Sequence, residues 1–243
     1  MMAFPRALPA VFLMMGVMGA ASAISRAQET TLTARIQVLG ESAASSSHMQ
    51  NVVVWLSPAD ARTPTRPFPA GRLRLTQHHK SFEPHLLVVP VGAVVEFPNR
   101  DPFFHNVFSL FEGKRFDLGL YEAGTTRNVS FDRPGVSYIF CNIHAEMSAV
   151  VVALDTPYFG ISNRGGEVVI PQVPVGRYTM KVWYEAALPA TLDALTREVN
   201  VTAGASTLGV LEIPPAVAVN AHKNKYGMDY EPPAPDSPGY DHP

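Results

Sequence analysis

The chain has 243 residues, 47% hydrophobic and 16% charged, which is enough to bury one large or two small cores. A formal charge of −2, from 19 basic and 21 acidic residues, argues against nucleic acid or an anionic membrane surface as a partner. Thirteen Phe, 8 Tyr, 17 Gly and 22 Pro, set among short Val-rich runs, exclude a protein of long helices and predict an all-β chain.

Arg6 is followed by the apolar run Ala7 to Ala20 and then by Ala21-Ser22-Ala23. That order of basic residue, apolar run and A-x-A site predicts a signal peptide over 1–23, with an uncleaved N-terminal anchor as the alternative. Cleavage would yield a periplasmic or secreted product with no membrane span. Residues 31–40 (TLTARIQVLG) and 51–57 (NVVVWLS) then read as strands, divided by the polar link ESAASSSHMQ. A Pro- and Arg-rich stretch from Pro58 to Pro69 interrupts the pattern.

From Leu73 to Leu154 strand signals are dense. HLLVVPVGAVVEF, HNVFSL, TTRNVSF, GVSYIFC and SAVVVAL are β-branched or aromatic and bounded by Gly, Pro, Asn or Asp. Such spacing predicts a sandwich or barrel. From Tyr158 a second pattern begins: GGEVVIPQVPVGRYTMKVWYE predicts strand, proline-rich turn and strand, and TREVNVTAG and TLGVLEIP supply two more. From Pro214 the chain is polar and proline-rich and reads as a flexible tail over 214–243.

Chemistry concentrates in Cys141-Asn142-Ile143-His144-Ala145-Glu146-Met147, written C-x-x-H-x-x-M, between two predicted strands. Cys141 is the only cysteine, so no internal disulfide forms, and a lone exported thiol survives by being buried or ligated. Thiolate, imidazole and thioether on one loop, with a second imidazole, are the ligand set of a blue-copper site. His105, in FPNRDPFFHNVFSL and just before a strand, is the candidate for that second imidazole.

From about Phe82 to Leu154 the chain resembles a cupredoxin. The residues that carry the likeness are F-x-P-x-x-x-x-V-P-x-G, V-x-F-x-N-x-D, H-N-V and P-G-x-x-x-x-x-C-x-x-H-x-x-M. The three-residue step from His144 to Met147 is similar to the short ligand loop of amicyanin. The wider arrangement resembles bacterial cupredoxin-like proteins labelled methylamine-utilisation proteins. The resemblance implies a Greek-key sandwich or barrel over 63–156 holding one type 1 copper, Cu(I)/Cu(II), through His105, Cys141, His144 and Met147. It also implies that the hydrogen bonds of Asn106 tie the two ligand segments together. His144 would be the electron port, with Pro102, Phe103 and Phe104 beside it, or packed in the core instead, and Glu146 adding negative charge.

The outer strands, with V-x-G, VVVWL and G-x-x-x-I-P-x-V-P-x-G-x-Y, resemble the carboxypeptidase regulatory-like β-sandwich. On that reading 30–62 and 157–213 form one small sandwich into which the copper domain is inserted; alternatively, 31–57 simply lead into the central barrel.

The function expected is a one-electron carrier rather than an enzyme, working with a redox protein such as a cytochrome or dehydrogenase. Copper delivery is an alternative, and so is a module whose outer sandwich binds carbohydrate or protein through exposed aromatics such as Trp183 and Tyr184. His48, His78, His79, His85, His222 and His242 read as solvated histidines rather than a second metal site.

Overall fold

The computed structural model describes residues 28–39, 49–60, 63, 66–110, 113–204, 206–214 and 222–230. The expected signal peptide, His48, His242 and much of the expected tail lie outside them. The described chain is almost wholly β, as its composition predicts, with one short helix.

The strands are β1 (Glu29–Val38), β2 (Val53–Pro58), β3 (Thr76–His78), β4 (Ser81–Glu83), β5 (Leu86–Pro90), β6 (Ala93–Pro98), β7 (His105–Ser109) and β8 (Phe116–Tyr121). They continue as β9 (Thr126–Phe131), β10 (Gly135–Cys141), β11 (Ser148–Leu154), β12 (Phe159–Ile161), β13 (Glu167–Pro174) and β14 (Gly176–Trp183). Helix α1 (Pro189–Ala194) precedes β15 (Arg197–Val201) and β16 (Thr207–Ile213). FDLGLY, not read as a strand from its residues, is β8.

These strands build two sandwiches. The outer one faces a sheet of order β13-β1-β16 against another of order β12-β2-β14-β15. The central one faces a sheet of order β5-β11-β10-β7-β8 against the β6-β9 pair, which the backbone near Arg74 and Gln77 extends by parallel bridges to Glu96 and Asn99. β1 and β2 therefore pair with strands that follow the central sandwich, and the chain leaves the outer sandwich after β2 and returns to it at β12. The prolines of PQVPVG do not make a tight hairpin. Pro171 and Pro174 lie within β13, and the chain crosses at Val175 from one outer sheet to the other.

Sequence patterning explains the layers. β1 alternates exposed and buried residues, with Leu32, Ala34, Ile36 and Val38 inward, as a strand with one solvated face should. β2 and β11 do not alternate, because both of their faces are covered. On β2, Val54 and Leu56 enter the outer core, while Val53 and Trp55 face the central sandwich. On β11, Ala149, Val151 and Ala153 enter the central core, while Val150, Val152 and Leu154 face the outer sandwich. A third apolar cluster, including Val53, Val88, Val150, Val152 and Trp183, joins the two. Each such side chain contributes about 1.5–3 kcal/mol when fully buried, so the two sandwiches are packed together rather than merely tethered.

Candidate metal centre

The loop after β10 and the start of β7 place three donors together. Cys141 Sγ lies 3.6 Å from Nδ1 of His105 and 3.6 Å from Nδ1 of His144, and all three donor atoms lie within 4.8 Å of one another. A sulfur and a nitrogen bound at about 2.3 and 2.0 Å to one ion lie roughly 3.5–3.7 Å apart as their angle opens from tetrahedral to trigonal. The observed separation falls inside that interval, so the donor set fits a single ion. Among the described residues it is the one such group of three His, Cys, Asp or Glu side chains.

Local structure explains the convergence. β7 and β10 are antiparallel neighbours, with Cys141 opposite Val107, which brings the His105 end of β7 close to the end of β10. The loop then turns back on itself. The Met147 amide donates to the His144 carbonyl at 3.2 Å and the Cys141 amide to the Met147 carbonyl at 3.2 Å. Met147 is wholly buried in the same core as Cys141, which places a thioether residue at the base of the loop. His144 is half-buried, with Ile143, Ala145 and Glu146 exposed beside it.

Burial sets the resting protonation states. It pushes the Cys141 thiol up, and the backbone amides of Asn106, Ile143 and His144, which hydrogen-bond the sulfur, only partly offset this. It pushes His144 down to about 4, with the nearby His105 acting in the same direction. His105 is lowered too, chiefly by burial. Near neutral pH the site therefore presents two neutral imidazoles and a thiol, and a metal entering it must displace the thiol proton.

Asp101 is the functional residue that reading the sequence missed, although it is the acid of V-x-F-x-N-x-D. It is 3% exposed, and its Oδ2 lies 2.9 Å from His105 Nε2. A carboxylate there keeps the proton on Nε2 and leaves the Nδ1 lone pair facing the sulfur and the site. Burial opposes the charge of Asp101, but hydrogen bonds from the Lys80 amide, the His105 ring and the His79 amide outweigh it and hold the carboxyl below its ordinary value.

Those two amides come from the β3–β4 turn, where His79 and Lys80 have φ of 52° and 53°. They donate to Asp101 at 2.6 and 3.0 Å. A two-residue hairpin turn of this hand usually takes Asn-Gly; here the paired hydrogen bonds to Asp101 hold non-glycine residues in it. The Asn99 side chain steadies the same corner, accepting from the Asp101 amide at 3.0 Å and donating to the Phe103 carbonyl at 2.8 Å. Tyr121 hydroxyl donates to the buried Gln77 side chain. Asn99 and Asp101 are the amide and the acid of V-x-F-x-N-x-D, whereas Gln77 and Tyr121 carry no local spacing signal that would have revealed them.

Asn106 divides its hydrogen bonds between side chain and backbone. Its side chain donates to Asp117 Oδ1 at 2.6 Å. Its backbone makes the tie between ligand segments, its carbonyl accepting from the Asn142 amide at 2.9 Å and its own amide bonding the Cys141 sulfur. Phe103 packs against both histidines, with centroids 5.3 Å from His105 and 5.5 Å from His144. Pro102 is exposed, and Phe104 is 54% and Ile143 46% exposed, so exposed apolar residues are the chain neighbours of Phe103, His105 and His144.

The other histidines serve elsewhere. His78 stacks on His79, and His85 joins the two sandwiches through Glu185 at 2.6 Å. Trp183 is buried in the joint and Tyr184 half-buried against the outer core, so neither forms an exposed aromatic face.

No family model matches the chain, and no curated protein matches it. Among solved structures, a purple cupredoxin from Nitrosopumilus maritimus is 22% identical with a TM-score of 0.31, over 33% of this chain and 98% of that one. The copper-containing nitrite reductase of Thermus scotoductus SA-01 is 24% identical with a TM-score of 0.33, over 40% of this chain but only 25% of that one. The Cu(I) form of an amicyanin mutant, with one methionine replaced by alanine, is 17% identical with a TM-score of 0.33, over 42% of this chain and 98% of that one. What the centre can hold is decided by its own donors. The described residues include no helix long and apolar enough to cross a membrane.

Proposed function

We propose that this chain is an exported one-electron carrier built around a mononuclear type 1 copper site, and not an enzyme. The observation that carries this reading is the convergence of one buried thiol and two neutral imidazoles at mutual distances suited to a single soft ion. His105 Nδ1, Cys141 Sγ and His144 Nδ1 would hold copper, with Met147 as the thioether ligand. Thiolate and thioether donors select copper over harder divalent ions. Copper held there supplies a one-electron couple between its cuprous and cupric states.

The chain's own part is to hold the donors still. Asp101 orients His105, three backbone amides surround the sulfur, and a packed core excludes water from Cys141 and Met147. A rigid, preorganised donor set changes little between oxidation states, which favours fast electron exchange. Exposed Pro102, Phe104 and Ile143, chain neighbours of Phe103 and of half-buried His144, suit transient docking of a redox protein, such as a cytochrome or dehydrogenase. Fully buried Cys141 makes the sulfur a poor hand-off point, which favours a carrier over a delivery protein.

The test is the visible and paramagnetic resonance spectrum of the full chain loaded with cupric ion, beside its Cys141→Ser variant. An intense thiolate charge-transfer band and a narrow copper hyperfine splitting, both lost in the variant, are expected. A colourless protein with ordinary tetragonal copper, unchanged by the substitution, would overturn the proposal.

A further inference from the structure

The C-terminal stretch departs from the loosely attached tail expected of it, because His222–Tyr230 is seated on the metal loop. The segment has its own fold. Asn224 Oδ1 accepts from the amides of Tyr226 at 3.0 Å and Met228 at 3.1 Å, the Gly227 amide donates to the Asn224 carbonyl at 2.9 Å, and the Asn224 amide donates to the Met228 carbonyl at 2.9 Å. Asn is suited to such turns because its side chain bonds the following backbone. Gly227, at φ 78°, takes the left-handed position that glycine adopts without steric cost.

Three contacts bind this turn to the site. Tyr230 hydroxyl donates to the carbonyl of Cys141 at 2.7 Å. The His222 ring stacks on Phe140, the residue before Cys141, with centroids 4.1 Å apart, and meets Tyr230 edge-on at 5.3 Å. The Lys225 amide donates to Asn142 Oδ1 at 2.9 Å.

Lys225 also closes a ring. Its Nζ lies 2.8 Å from Asp117 Oδ2, and Asp117 Oδ1 accepts from the Asn106 side chain at 2.6 Å. The Asn106 carbonyl accepts from the Asn142 amide at 2.9 Å, and Asn142 returns to Lys225. The ring therefore links the residue after His105 and the residue after Cys141 to one C-terminal turn. Three segments far apart in sequence are held in a single register, and the polar groups within the ring satisfy one another.

We propose that residues 222–230 are a clasp on the metal loop, and that Tyr230 is a positioning residue that acts through the Cys141 backbone to slow exchange of the bound metal. This rests on the copper reading above for the identity of the metal, but not for the clasp itself. With the clasp closed, the loop cannot swing Cys141 away from His105 without breaking the Tyr230 bond and the Lys225–Asn142 contact. His144 is left half-exposed, with Ile143, Ala145 and Glu146 exposed beside it. The site is thus closed on the Cys141 side and open on the His144 side, which suits a protein that passes electrons and keeps its metal.

The test compares the full chain with Tyr230→Phe and with the Tyr230→Phe/His222→Ala double variant. The first readout is hydrogen exchange of the peptide spanning 141–147 in metal-free protein, with a β1 peptide as internal control. The second is the rate at which a cuprous chelator strips copper from the reduced protein. Tyr230→Phe removes one hydroxyl and should speed both by about fivefold, the worth of one hydrogen bond. The double variant should speed them further, while β1 exchange stays unchanged.

Equal exchange of 141–147 in all three proteins would overturn the clasp, even if the wild type is blue. Faster exchange of that peptide in the variants, beside a wild type that stays colourless with cupric ion, would uphold the clasp and sink the copper reading instead. Faster exchange of β1 as well would mean general destabilisation and would also overturn the specific role of Tyr230.

Discussion

The two sandwiches are built from similar strands but differ in what they bury. The outer core is dry: Leu32, Ile36, Val54, Leu56, Val168, Ile170, Tyr178 and Met180 fill it, and the Tyr178 hydroxyl is satisfied by the Pro174 carbonyl at 2.8 Å. The central sandwich buries Gln77, Asn99, Asp101, His105, Asn106, Ser109 and Ser137, seven of the nine buried polar or charged residues among those described. A polar group costs free energy to bury unless it is hydrogen-bonded, so the five of them that are hydrogen-bonded around the start of β7, Gln77, Asn99, Asp101, His105 and Asn106, mark the place built for chemistry. Stability is supplied by the apolar core of each sandwich and by the apolar joint; the polar corner around Asp101 spends some of it to orient His105.

That contrast can be broken or sharpened by experiment. Leu56 is fully buried in the outer core, and Leu56→Ala should cost about 2–5 kcal/mol of stability with no change in the absorption of the copper-loaded protein. Thermal and denaturant melting beside the visible spectrum would decide it; a spectral change at Leu56→Ala would show that the two sandwiches are not separable in this way. Asp101→Asn should do the reverse. It should weaken metal affinity by about 10–100-fold through loss of the carboxylate on His105 Nε2, measured by competition with a chelator of known affinity, and cost less stability than Leu56→Ala.

A smaller effect is expected of Tyr121→Phe, which leaves the buried Gln77 side chain without its donor and should cost about 1–3 kcal/mol in denaturant melts. Affinity for the metal should fall less than in Asp101→Asn, because the Tyr121 hydroxyl bonds Gln77 and no metal-ligand side chain. Equal losses of affinity would mean that the network responds as one unit.

The smallest effect belongs to the joint. The Glu185 hydrogen bond raises His85 above its ordinary value of 6.5, against the opposing cost of burial. A raised folded value stabilises the protonated state, so this contribution is complete below about pH 6.5 and is lost as pH rises through the folded value. Side chains 41% and 39% exposed limit it to about 0.5 kcal/mol. Stability measured from pH 5 to 9 should show that decline in the wild type and not in Glu185→Gln; an unchanged profile would remove the pair from the joint's energetics.

Much of this molecule was legible in its residues. Alternation in β1 and short Val-rich runs between turn residues determined an all-β chain, because period-two burial follows directly from strand geometry. C-x-x-H and a preceding histidine picked out three side chains, Cys141, His144 and His105, whose donor atoms the structure brings within 4.8 Å of one another, because a metal loop between two strands leaves a local spacing. Tertiary structure alone decided the rest. VVVWL and SAVVVAL are apolar throughout because each lies in a core on one face and in the joint on the other, and a run buried on both faces has no period that names its neighbours. Asp101 meets the His79 and Lys80 amides across 22 and 21 residues, and Tyr230 meets Cys141 across 89 residues, through backbone paths that no spacing rule encodes. Hydrogen bonds between distant segments depend on where the packed strands deliver them, and that is settled only when the whole chain folds.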